Sequence, residues 1–501
     1  MQTIQTVFNR FFPRESFQGK WLRDPRILFF FASSLFFVLM WVGVSRKNEF
    51  VYMVPLGMIF AIVALQDLRH LWMFSVIFLP FSMELQELIG MASITFPTDV
   101  TALALVGLIT LKLASERGYD LPQYKHPIFV FMLIYLGWIF ASSISSSIPV
   151  VSYKWFAATT WMVIAFWFVT SLIFYRLKYM YLFVTLVGVG FAIVVSFIFI
   201  KYGIQGRNIF GLRINPTPFF KDHTVFGTFP TLFIPFLSLF TFMREFPVKF
   251  RRLSAVLLGF MILGLLFSYS RGAWASSFAS TALLFLFLNR GILKKYLTLI
   301  LVAGAFFIAM ILPDFLESVD NNKSVSRKSL GQHIASITNF KTDASNSERL
   351  NRWNCAIEMY RDRPVFGYGP GTYAFTYGRF QGMKDRTFVS TNHGNIGTAH
   401  SEVLLALSEQ GWPGAVLAFL LFLLPMALGI RGYFLAKQFQ IKVLYLGATF
   451  GLFAYFLHSF VNNFLDQDKI GMPFYVFMAM ITALDVYHRN KNRQEDRKTV
   501  I

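Results

Sequence analysis

Residues 181–200 read YLFVTLVGVGFAIVVSFIFI, a run with no charged side chain. A helix rises about 1.5 Å per residue, so ~20 apolar residues cross the ~30 Å hydrocarbon layer of a bilayer. This stretch is therefore predicted to be a membrane span. Similar runs lie on both sides of it, near 27–44, 50–66, 68–81, 98–114, 128–145, 155–174, 225–243, 253–269, 273–289, 296–312, 401–430, 443–459 and 470–486. The run at 68–81 is short and meets Pro80, so a re-entrant segment is a second reading of it. The run at 401–430 is too long for one straight span, and Gly411, Pro413 and Gly414 are expected to break it.

Composition points the same way. Of the 501 residues, 55% are hydrophobic and only 14% charged, against roughly 25% charged in soluble domains. Mean hydropathy is +0.53. The net charge of +20 does not imply nucleic acid, because Lys and Arg sit in short clusters between apolar runs. With the N-terminus inside, the cytoplasmic segments carry 26 of the 46 basic residues and the short outer segments 9. The other 11 lie in one long outer loop, which the positive-inside rule does not count. The alternation predicts an even number of crossings, fourteen or twelve, with both termini cytoplasmic.

The expected fold class is all-α: a polytopic transmembrane helical bundle of about 12–14 spans with one large helical periplasmic loop. The expected organisation is a cytoplasmic N-terminal segment 1–26, spans within 27–312, the loop 313–400, spans within 401–486 and a charged tail 487–501. In the first segment Ile4, Val7, Phe8 and Phe11 recur at helical spacing beside Arg10 and Arg14. That pattern fits a helix lying in the membrane surface, or equally a frayed tail. No cleavable signal peptide is expected, since about two dozen mixed residues precede the first apolar run. A single cysteine, Cys355, precludes an intramolecular disulfide and any Cys-based zinc site.

Four motifs carry chemistry, and all fall on the expected outer side. Ser268-Tyr269-Ser270-Arg271-Gly272-Ala273-Trp274 joins two spans. An Arg at that depth either meets a phosphate or carboxylate, or snorkels to the interface. In the long loop, Ser345 and Glu348 have capping-box spacing, which predicts a helix from there to about Arg361, stopped by Pro364. Arg349 and Arg352 then share a face, as an anion site or as a solvated basic surface. Pro364-Val365-Phe366-Gly367-Tyr368-Gly369-Pro370-Gly371 reads as an irregular architectural turn. Last, His400 and Ser401 enter a span that carries Glu402 and Glu409. A His at that mouth serves as a general base or as a hydrogen-bonded interfacial residue. Glu409 is nine residues on, which places it off the face of His400.

Two further features are weighed. Asp466-Gln467-Asp468 has the D-x-D pattern that holds a metal in many glycosyltransferases, but it is expected here to be a solvated, charge-balanced turn beside Lys469. Lys221-Asp222-His223-Thr224 either lines a site or caps the next helix through Thr224. Ser270, Lys221, His223, Ser401 and Glu409 are accordingly candidate site-lining residues. No metal site is expected.

The order of the motifs is more specific than any one of them. A span ending in Ser-Arg-Gly-Ala is followed by a long loop with an Arg-Leu-x-x-Trp helix and a Pro-x-x-Gly-x-Gly turn. A His then enters a span with Leu-x-x-x-x-Glu-x-Gly-x-x-Gly spacing. Over about residues 220–425 this resembles the O-antigen ligase family and its relatives, the O-antigen polymerases and bacterial protein O-oligosaccharyltransferases. The resemblance implies inverting, metal-independent and cofactor-free glycosyl transfer from an undecaprenyl-diphosphate-linked glycan to a glycolipid or glycan acceptor. The setting it implies is the periplasmic face of a bacterial inner membrane. By the same resemblance Arg271 and Arg349 match the family's diphosphate-facing arginines, with Arg352 beside them, and His400 matches the catalytic histidine. The family's usual Asn after that His is Ser401 here. A ligase acting on lipid A-core and a repeat-unit polymerase share this donor and differ in acceptor. A flippase of the lipid-linked sugar is a third reading, disfavoured because few charges lie mid-span.

Overall fold

In this computed structural model the described residues are 68–84, 95–115, 121–205, 215–289, 344–381 and 397–488. The spans expected at 27–44, 50–66 and 296–312 and the N-terminal segment lie outside them. Within them the protein is an all-α polytopic membrane bundle. Its helices are α1 (Leu68–Phe78), α2 (Thr98–Ser115), α3 (Pro127–Ile144), α4 (Pro149–Ile173), α5 (Leu177–Ile204) and α6 (His223–Phe242). There follow α7 (Val248–Phe267), α8 (Arg271–Leu288), α9 (Ala344–Asp362), α10 (Glu402–Leu435), α11 (Phe439–His458) and α12 (Asp468–His488). Nine of them, α3 to α8 and α10 to α12, are long and apolar enough to cross a bilayer. The one sheet among the described residues is a two-residue antiparallel pair, Met83–Glu84 against Thr95–Phe96.

Sequence chemistry sets the helix ends. Pro127 opens α3 behind His126, whose Nδ1 accepts from Ile128 N at 3.3 Å. Asp222 caps α6, its Oδ1 accepting from Thr224 N (2.6 Å) and Val225 N (3.0 Å). The cap is thus Asp222 rather than Thr224, because its carboxylate reaches two unpaired N–H groups of the first turn at once. The run at 68–81 forms only the eleven-residue α1 and a 3₁₀ turn at Leu79–Phe81 that contains Pro80.

Helix α6 is the axis of the bundle, buried on nearly every side despite Pro230 and Pro235 in its interior. Its Phe229, Phe233 and Phe236 interlock with Phe191 of α5 and Phe477 of α12 at ring separations of 5.1–5.5 Å. Between helices in lipid, where burial from water contributes little, such close van der Waals packing holds the bundle together.

Opposite the site end, His126 Nε2 lies 3.4 Å from Asp485 and Tyr445 OH donates to Asp485 Oδ1 at 2.7 Å. Tyr487 and His488, expected at the start of the charged tail, complete α12. The Tyr487 ring packs on Tyr175, and His488 Nε2 lies 3.2 Å from the Phe174 carbonyl. Aromatic and polar partners at this end carry the helix two residues past the apolar run.

Helix α10 breaks where expected. Gly411 has φ 70° and ψ −170°. A Cβ there would lie 2.1 Å from the Val365 carbonyl oxygen, so both the backbone conformation and the space require glycine. The described part of the long loop, 344–381 and 397–400, folds back onto this end of the bundle. It has a small core of its own, built from Cys355, Ala356, Met359, Tyr368, Tyr373, Tyr377 and Ala399.

Candidate active site

The site is assembled by two carboxylates on α10 that anchor segments far away in sequence. Glu409 Oε2 accepts from Gly371 N and Oε1 from Tyr373 N, both at 2.8 Å. Gly369 N donates to the Glu409 carbonyl (2.7 Å), and Trp412 N donates to the Pro364 carbonyl (2.9 Å). On the other side of the 364–371 turn, Ser142 Oγ donates to Phe366 O (2.7 Å), Ser152 Oγ to Pro370 O (2.8 Å) and Ser147 N to Tyr368 O (2.9 Å). The turn is therefore a knot between the α3–α4 hairpin and the break in α10. Gly369, at φ +105°, is required there because a Cβ would lie 2.0 Å from Ser146 Oγ.

Glu402 does the same one end further on. Its Oε1 accepts from Phe464 N (2.8 Å), Leu465 N (2.9 Å) and Tyr455 OH (2.6 Å), while its own N–H donates to Ser459 O at 3.0 Å. Glu402 thereby fixes the α11–α12 connection.

Expected losses on removing these anchors differ by charge and shape. Glu409→Ala strands two buried N–H groups, each costing about 1–3 kcal/mol. The expected result is a lower melting temperature in detergent and faster proteolysis of the 364–381 segment. Glu409→Gln keeps one acceptor and should fall between that variant and the native protein.

The connection fixed by Glu402, His458 to Asn463, lies against Arg349, the start of α8 and the residues before α10. Arg349 Nε donates to Val461 O at 3.3 Å. Arg271 opens α8, and a Cβ on the next residue, Gly272, would lie 3.2 Å from Val461 Cγ2 and 3.3 Å from His458 Cε1. Thr398 Oγ1 and Asn463 Oδ1 are 2.7 Å apart. Trp353 Nε1 reaches His400 O at 3.4 Å. His400 itself lies beside Arg349. Its φ is +52°, the left-handed region a non-glycine residue adopts only when its surroundings impose it. Burial first, then the Arg349 guanidinium, pushes its pKa down to about 4. The imidazole is therefore neutral at physiological pH, and its buried Nδ1 has no hydrogen-bond partner among the described residues.

The remaining candidates separate into distinct places. Arg352 is buried; its Nε donates to Glu348 Oε1 at 2.7 Å and its guanidinium lies 4.0 Å over the Tyr377 ring. The Glu348 carboxylate is thus turned along the helix to Arg352 rather than back toward the capping-box position. Helix α9 starts at Ala344, one residue before Ser345. Ser270 is buried and packs against Gly227 of α6. Ser401 is the buried residue preceding α10, and its side chain makes no capping bond. His223 is the half-buried first residue of α6.

Lys221 is exposed, 3.5 Å from Glu84. It lines a cavity of about 630 Å³ together with Lys154, Trp155, Trp161 and Asp466. Glu402 and Asn463 form part of that cavity's wall, so it abuts the turn that holds His400. The expectation of a solvated turn at 466–469 holds for the exposed Asp466 but not beyond it. Asp468 and Lys469 are buried: Ser82 Oγ donates to Asp468 Oδ2 at 2.7 Å, and Lys469 Nζ donates to Leu79 O at 2.6 Å. The 3₁₀ turn after α1 and Ser82 next to it supply the partners that make this burial tolerable.

Sequence reasoning missed His458, Asn462 and Asn463. The available signal was polar residues crowding the mouth of one span, at a distance from every other motif.

Residues 256–419 match the family model described as O-Antigen ligase. Over that stretch, about a third of the chain, the protein is similar to O-antigen ligases. The matched stretch contains Arg271, Arg349, His400, Glu402 and Glu409, whereas the turn His458–Asn463, which Arg349 and Glu402 bond, lies beyond it. No curated protein matches the chain.

Proposed function

We propose that the protein moves a glycan from undecaprenyl diphosphate onto a hydroxyl of a glycolipid acceptor, lipid A-core, at the periplasmic face of a bacterial inner membrane. The observation that carries this reading is the convergence of Arg349, the Arg271 end of α8 and a neutral His400 on one turn.

The chemistry matches the groups present. His400 takes the proton of the acceptor hydroxyl as its oxygen attacks the anomeric carbon. The bond from that carbon to the diphosphate oxygen breaks, and its electron pair leaves with the diphosphate. Attack opposite the leaving group inverts the anomeric configuration. Arg271 and Arg349 stabilise the departing charge through planar, paired N–H groups, so a metal ion is not needed for that role. The cavity beside the turn takes sugar rings against Trp155 and Trp161. Arg352 holds the loop helix rather than substrate. Both chain termini lie on the cytoplasmic side.

Purified protein, supplied with glycosylated undecaprenyl diphosphate and lipid A-core, should yield glycosylated core and free undecaprenyl diphosphate. Growth of carrier-linked chains in the absence of a core acceptor would instead assign it as a polymerase.

A further inference from the structure

The cavity of about 630 Å³ beside the His458–Asn463 turn has the size of a small-molecule site. Glu402 forms part of its wall, and its role as an anchor uses only one of its two oxygens. Phe464 N, Leu465 N and Tyr455 OH all donate to Oε1, and no described residue hydrogen-bonds Oε2. A carboxylate oxygen offers lone pairs and no proton, so Oε2 takes its partner from whatever fills the cavity. Two more lining residues carry unmet polar atoms. Trp161 Nε1 and Gln410 Oε1 are buried and have no hydrogen-bond partner among the described residues. Buried polar groups are nearly always satisfied, so unmet ones in a single wall mark a place that a polar ligand completes. We propose that Glu402 binds the acceptor, its Oε2 accepting from a hydroxyl of an uncharged sugar seated in this cavity. This rests on the reading of the protein as a glycosyl transferase.

The charges around the cavity set the class of sugar. Lys221 and Glu84 lie 3.5 Å apart and balance one another. Asp468 and Lys469 are neighbours, and the protein itself satisfies them through Ser82 Oγ and the Leu79 carbonyl. Both oxygens of Glu409 are taken by the Gly371 and Tyr373 N–H groups. The other charges in the wall are Asp99, Asp466 and Glu402 against Lys154, an excess of carboxylate. A phosphorylated or uronic acid ring would bring its own negative charge among them, and such like-charge juxtaposition rejects a partner. A neutral hexose offers hydroxyl protons to the carboxylates instead, and Trp155 and Trp161 supply apolar ring faces for its C–H surface. On a lipid A-core acceptor this selects a neutral outer sugar over a phosphorylated one. The placement suits transfer. Glu402 is two residues from His400, and Asn463 of the same wall belongs to the turn that Arg349 bonds through Val461 O.

The test is Glu402→Gln. Three donors hold the amide oxygen at the Oε1 position and turn the NH₂ into the cavity, so the anchor is kept while the accepting atom becomes a donor. With lipid A-core as acceptor, its KM should rise about 10–10²-fold, the worth of one hydrogen bond to a charged group. KM for the lipid-diphosphate donor and the melting temperature should stay at their native values. An unchanged acceptor KM, or a rise in both KM values with a lowered melting temperature, overturns the assignment and leaves Glu402 an anchor only. Binding is measured beside turnover, by calorimetric titration of core oligosaccharide ending in a neutral hexose into the full-length protein in detergent. The native protein should bind it, and Glu402→Gln should bind it more weakly by the same factor. Oxidising C6 of the terminal hexose to a carboxylate should weaken binding to the native protein about tenfold or more. Equal binding of the neutral and oxidised forms, or no binding of either, overturns the assignment. If the native protein shows this binding pattern yet transfers nothing, the transferase reading fails and the sugar site stands. If it transfers while Glu402→Gln keeps the native acceptor KM, the sugar site fails and the transferase reading stands.

Discussion

Arg349→Ala should lower kcat/KM for a lipid-diphosphate donor by about 10²–10³-fold, the usual cost of deleting one preorganised donor to a developing negative charge. Arg349 is half-buried and tethered through Nε to the Val461 carbonyl. That tether aims the far end of the guanidinium without consuming all five of its N–H groups. Arg271→Ala should give a loss of similar size. Lysine at either position should restore the charge but not the paired geometry, and recover only part of the rate.

Arg352→Ala is the control that separates binding from folding. It strips the partner from the buried Glu348 and from the Tyr377 ring. Removing one side of a buried pair costs about 3–5 kcal/mol. Its expected signature is therefore a lowered melting temperature, whereas Arg349→Ala should melt like the native protein. Donor affinity left intact in both Arg271→Ala and Arg349→Ala would remove the diphosphate from this site.

His400→Ala should reduce kcat by about 10²–10⁴-fold, the range for loss of a positioned general base. The pH profile gives a sharper test. Burial and Arg349 hold the pKa near 4 instead of 6.5. The acid limb of kcat/KM, which reports the free enzyme, should therefore sit near pH 4 and not near neutrality. A bound diphosphate offsets the arginine charge and favours the imidazolium, so the limb in kcat should lie higher than the limb in kcat/KM. Arg349→Ala should raise the limb in kcat/KM for the same reason. The sign carries over to stability. The fold prefers the neutral ring, so its contribution is complete above pH 6.5 and is lost as pH falls toward 4. An acid limb in kcat/KM at the ordinary histidine value would show that the ring is solvated and that this environment is misread.

Much of this protein was legible before any coordinates. Apolar length gave the nine spans found among the described residues, because a helix crossing lipid must satisfy its own backbone and clothe it in apolar side chains, a local constraint that leaves a local trace. The break at Gly411 was legible for a related reason, since glycine and proline act on their own backbone. Arg271, Arg349 and His400 were singled out by the order of their motifs. Other roles were not. Arg352 is identical in kind to Arg349 and three residues away, yet Glu348 and the Tyr377 ring claim it. Asp468 and Lys469 looked like a solvated turn until the turn after α1 supplied Ser82 and the Leu79 carbonyl.

By itself, then, the sequence determined the membrane bundle, its breaks and which side chains are chemically able to bind a diphosphate or take a proton. Tertiary structure alone decided which of them lie near one another. The turn His458–Asn463 takes hydrogen bonds from Arg349 of α9 and from Thr398 and Glu402 at the start of α10, and packs against Gly272 of α8. A partner chosen by proximity in space has no signature in the spacing of the chain.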